Sequence, residues 1–72
     1  MEKELVTYAN SLGSGHLKSW KATSIIATAS ALPEIFHNEV HFLAYLKGCL
    51  LPDGFTPVHR ELIMGWLYER LA

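Results

Sequence analysis

Hydrophobic positions recur along this chain at three- and four-residue spacing, with no sustained alternation of the kind a half-buried strand needs. Three breaks interrupt the pattern: "GSG" at 13–15, Pro33, and "LPDGFTP" at 51–57. Glycine tolerates positive φ and proline cannot continue a helix, so such points favour turns. The four segments between them read as helices.

The first, Glu2 to Leu12, sets Leu5, Ala9 and Leu12 on one side and places Glu2 and Glu4 at the positive end of the helix dipole. Gly13 then suits a left-handed cap. The second segment is predicted from about His16 to Leu32, with Ser14 as its N-cap. Trp20, Ser24, Ala27 and Ala31 fall on one narrow stripe at 100° per residue, which predicts that Trp20 packs into the core and that a neighbouring backbone approaches closely. With Ala22, Ile25, Ile26 and Ala29 covering much of the rest, this helix is expected to be central and buried.

Pro33 suits the first turn of a third helix, where its missing N–H costs nothing, and that helix is predicted to run to Leu50. Ile35, Phe36, Phe42, Leu43, Leu46 and Leu50 form its apolar face; Glu34, His37, Asn38, His41, Tyr45 and Gly48 form the opposite one. After a turn at Pro52, Asp53 and Gly54, Thr56 and Pro57 make an N-cap and first-turn pair for a fourth helix reaching Arg70. The fold class that follows is all-α: one domain over residues 1–72, a small bundle of three main helices and a shorter N-terminal one, joined by short connections and packed roughly antiparallel.

Size sharpens that expectation. A chain of 72 residues buries only about 60% of its unfolded surface. Small domains offset this with disulfides, a metal or a partner. Cys49 is the only cysteine, which excludes an internal disulfide and fits a reducing, cytoplasmic setting. Half the residues are hydrophobic, generous for so small an interior, which points to surface shared with another chain.

Charge narrows the partners. Seven acids against six Lys and Arg give a net charge of −1, without the basic excess that drives phosphate binding, so nucleic acid is disfavoured. "MEKELV" is not a basic region followed by an apolar core, so no signal peptide is expected. The longest nearly uncharged run, Ala22 to Pro33, falls well short of the roughly 20 residues of a membrane span.

The stretch "FHNEVH" at 36–41 resembles a zinc-protease helix, and His37 and His41 share one face at chelating spacing. In H-E-x-x-H, however, the glutamate directly follows the first histidine. Here Asn38 does, and Glu39 lies one residue later, rotated by about 100° toward the apolar side. Glu34 could add an oxygen ligand, but Cys49 is off that face, and structural zinc sites want four ligands. No metal or other cofactor is expected. A carboxylate at Glu39 needs a partner if it is buried. Lys18, Lys21, His59 and Arg60 are the candidates, unless Glu39 lies at the rim; the functional alternatives are an acid facing a basic group on a partner protein, or a catalytic acid, for which no companion lies nearby in sequence.

Catalytic signatures are missing. "GSGHLKSWK" lacks the spacing of a phosphate loop and no strand precedes it. "GSG" is not the G-x-S-x-G of a nucleophile elbow. Cys49, near the end of an apolar helix, reads as an inert small hydrophobe. The chain is therefore not expected to be an enzyme.

The fourth helix carries more apolar surface than one core-facing stripe needs. Val58, Leu62 and Trp66 line one flank, and Ile63, Met64, Leu67 and Leu71 cover another. Met64, Trp66 and Tyr68, of types favoured at interfaces, are the candidate contacts there. His37, His41 and Tyr45 on the third helix, with Glu39, form a second candidate surface. The sequence thus predicts a small non-catalytic regulatory or adaptor protein that binds another protein, with a homodimer among the options. The alternative is a helix-turn-helix DNA-binding regulator reading with the fourth helix. Against it, Glu61 and Glu69 offset Arg60 and Arg70, and the connection 51–56 is longer than the usual turn.

Overall fold

A computed structural model of the chain describes residues 1–31 and 39–71, with the backbone alone described for Glu39 and Leu71. Its helices are α1 (Glu2–Ser11), α2 (Ser19–Ser30), α3 (Glu39–Leu50) and α4 (Pro57–Leu71), with one 3-10 turn at Leu51–Asp53 and no strand among the described residues. The all-α bundle expected from the sequence is therefore the fold, and α1 is the shortest of the described α-helices.

Each helix contributes a short apolar stripe. Leu5 and Ala9 come from α1, Ala22, Ile25 and Ala29 from α2, Phe42, Leu46 and Leu50 from α3, and Ile63, Trp66 and Leu67 from α4. Leu17 and Phe55, from the connections, complete the core. On α3 the buried residues are those of the predicted apolar face; Pro33, Ile35 and Phe36 lie outside the described residues. Thr56 caps α4 as predicted, its Oγ1 accepting the His59 N–H at 3.2 Å. Gly13, at φ 87°, takes the left-handed conformation after α1, and Gly54, at φ 93°, does so after the 3-10 turn.

The second helix differs from expectation in start and rotation. It begins at Ser19, not His16, and Ser14 does not cap it. Leu17 N–H donates to Asn10 Oδ1 at 2.7 Å, and Asn10 Nδ2 donates back to Leu17 O at 3.4 Å. With both backbone groups satisfied by α1, residue 17 stays outside the helix and sinks its side chain into the core. His16 N–H is taken by Asp53 O at 3.2 Å.

Rotation is the larger correction. Trp20 is 66% exposed, and Ser24 and Ala27 are exposed with it; the buried face is Ala22, Ile25 and Ala29. Lys21 gives the reason. Its Nζ donates to Cys49 O at 2.7 Å and to Asp53 Oδ2 at 2.8 Å, at the C-terminal end of α3. Turning Trp20 inward would rotate α2 by about half a turn and break both bonds. Small residues at 22 and 29 let α2 lie close to its neighbours, and Ile25 fills the space between them.

The middle of α4 contains a glycine that the fold does not require. A Cβ placed at Gly65 meets no atom within 4 Å, and the same holds at Gly48 on α3. Gly15 is the opposite case, since its Cβ would lie 2.7 Å from Asp53 O and from the Phe55 ring. Gly65→Ala and Gly48→Ala should each stabilise the protein by about 0.5–1 kcal/mol, whereas Gly15→Ala should destabilise it; thermal melts of the three variants decide this. Lys21→Met, which strands a half-buried carboxylate and a helix-terminal carbonyl, should cost roughly 1–3 kcal/mol in urea titrations.

Candidate interaction surface

Along the outside of the bundle, α1 and α4 meet at an aromatic stack. Tyr8 and Trp66 lie with ring centroids 5.6 Å apart and planes 18° from parallel. The Arg70 guanidinium sits 4.0 Å from the Trp66 ring centroid, and its Nη1 donates to Trp66 O at 3.3 Å. Beside this stack runs a groove of about 360 Å³, lined by Tyr8, Leu62, Gly65 and Trp66 with Glu61 and Glu69 among its polar walls. Gly65 forms part of its floor, and a Cβ there would project into open space. Its apolar lining continues outward along α4 to Val58, which is 64% exposed; Leu62 is 45% exposed.

The predicted contact residues of α4 sit less openly than these. Trp66 is buried, and Met64 and Tyr68 are half-buried against the core, Tyr68 edge-on to Phe42 at 5.8 Å. Of the second candidate surface, His41 is exposed on α3, whereas Tyr45 leans on Phe42 at 6.1 Å with its hydroxyl 3.3 Å from Thr28 Oγ1. His37, Glu34, Asn38 and the Glu39 side chain lie outside the described residues. Three of the four cations considered for Glu39 are engaged elsewhere: Lys21 with Asp53, His59 with Ser14, and Arg60 with the Phe55 carbonyl through Nη1 at 2.6 Å. Among the described residues no cluster of three or more His, Cys, Asp or Glu could hold a metal ion.

Ser14 and His59 are the only serine and histidine joined directly among the described residues, with Oγ 2.5 Å from Nδ1. The same hydroxyl accepts the Thr56 N–H at 3.4 Å. Two bonds to the first turn of α4 make Ser14 a clasp between the "GSG" loop and that helix. A nucleophile–base pair would also need oxyanion donors and a group orienting the imidazole. Among the described residues no second side-chain hydrogen bond orients the His59 ring.

Comparison of the chain with protein-family models, with curated proteins and with solved structures finds no match.

Residue patterning alone missed Tyr8 and Gly65 as parts of the groove. The signal available was a glycine in the middle of a helix, where it costs about 1 kcal/mol relative to alanine. Ser14→Ala should remove the clasp and lower stability by about 0.5–2 kcal/mol without loss of helix content, read by urea titration followed by circular dichroism.

Proposed function

We propose that this chain is a small non-catalytic regulatory or adaptor protein that acts by binding another protein, with the outer edge of α4 as its docking face. The observation that carries the reading is the exposed apolar edge Val58, Leu62 and Gly65, opening into the groove against Tyr8 and Trp66. Exposed single hydrophobes need no explanation, but here they adjoin a concavity lined by a glycine that the helix would be more stable without. A buried Trp66 and a half-buried Tyr8, flanked by exposed apolar side chains and rimmed by charge, have the make-up of an interaction surface. No helix among the described residues is long and apolar enough to cross a membrane, and a reducing, cytoplasmic setting accords with the single cysteine.

The helix-turn-helix alternative draws less support. Residues turned outward on α4 include Glu61 and Glu69, whereas Arg60, which would be needed at the DNA, is buried against Phe55. An outer face of this sign repels phosphate.

Photo-crosslinking in the source cell tests the reading. With Leu62 replaced by benzoylphenylalanine, irradiation should give one or a few discrete protein adducts. The same residue at exposed Lys47 on α3 should not give those adducts. Identical adduct patterns from both positions, or none from position 62, would remove α4 as the docking face.

A further inference from the structure

Two features of the surface have no use within one chain, and they are complementary. The first is Trp20, 66% exposed in the opening turn of α2 and pointing away from its buried face. The Lys21 ammonium lies 5.7 Å from its ring centroid, and because that ammonium is tied to Asp53 and Cys49, the indole stands on a fixed base. Lys18, just before the helix, is exposed beside it, and α2 carries no acid along its length. The second is the groove at Gly65, with aromatic and aliphatic walls and two exposed carboxylates, Glu61 and Glu69. Among the described residues no cation pairs with Glu61. Arg70, the cation of this groove, is already held by Trp66 O and by Glu69 at 3.8 Å.

We infer that the groove beside Gly65 receives Trp20 of a second copy of this chain. The inference rests on the interaction reading above and names the occupant. An indole entering the groove gains offset or edge contacts with Tyr8 and Trp66, the arrangement aromatic rings prefer. Its flanking Lys18 comes to the acidic rim, so the charges oppose as the apolar surfaces close. Within one chain the contact cannot form, since Lys21 holds Trp20 on the outer side of α2. Between copies, each chain offers one knob and one hole. A two-fold pair uses the contact twice, which is how self-complementary surfaces close. Tryptophan is the residue most enriched among side chains that dominate binding energy, and an aromatic-lined pocket is where such residues act.

Sedimentation equilibrium of the full chain from micromolar to millimolar concentration, at low salt, tests this directly. A reversible dimer is expected, with tryptophan emission moving to shorter wavelength as it forms, because Trp20 passes from 66% exposed into an aromatic groove whereas Trp66 starts nearly fully buried. Trp20→Ser removes the knob, and Gly65→Leu fills the hole. Both sites are exposed, so both variants should fold, and each should weaken association by roughly 30-fold. Mixed together they should associate more tightly than either alone, since one chain keeps the groove and the other keeps the indole. Three results would overturn the inference: a wild-type monomer throughout, a dimer that neither variant weakens, or a mixture that does not associate. A monomer whose position-62 photoadduct is a different protein would end the second-copy inference and leave the docking face standing. A monomer with no adduct would remove both.

Discussion

The arrangement depends most on one ammonium group. Lys21 leaves α2 and bonds at once to the Cys49 carbonyl near the end of α3 and to the Asp53 carboxylate in the following turn. With both partners less than a fifth exposed, the ion pair is shielded from full solvent screening, so it is stronger than a surface pair. It also satisfies a carbonyl that the helix cannot satisfy itself. Three elements are joined by it, and the rotation of α2 is fixed with them. That rotation decides that Ile25 is core and Trp20 is surface.

Around this anchor the α1–α2 and α3–α4 connections come together. Asp53 uses its carboxylate for Lys21 and its carbonyl for His16, and the space against that carbonyl is open only because residue 15 is a glycine. Ser14 then reaches the start of α4 through His59 and Thr56. The "GSG" loop and the "PDGFTP" turn, far apart in sequence, are therefore one packed unit. This explains how a short chain without disulfides holds its helices in register: its loops add hydrogen bonds between elements rather than merely joining them.

Legibility in the sequence followed the range of the deciding interaction. Thr56 and Pro57 start α4 through contacts within one turn, and Phe42, Leu46 and Leu50 mark the inner face of α3 by spacing alone. Both were readable. The start of α2 was not, because it is set by Asn10 on another helix competing for the backbone of Leu17. Its rotation was not readable either: small and apolar residues surround that helix on nearly every side, so periodicity offers two faces and a lysine chooses. The groove was half legible, since the surplus apolar surface of α4 was visible while its partner Tyr8 on α1 was not. Arg60 resists explanation at one atom: its Nε is buried without a hydrogen-bond partner among the described residues.

The hydroxyls of α2 have a further effect. Thr23, Thr28 and Ser30 each donate to the carbonyl four residues earlier in their own helix, at 3.1, 2.9 and 2.9 Å. Such side chains look hydrophilic in composition, yet their protons are already committed, and the two threonines keep methyl groups as well. Toward solvent these three hydroxyls therefore offer acceptor lone pairs and no free proton. A surface approaching α2 would thus leave no donor of these three hydroxyls stranded, which lowers the cost of covering a helix that looks polar in sequence.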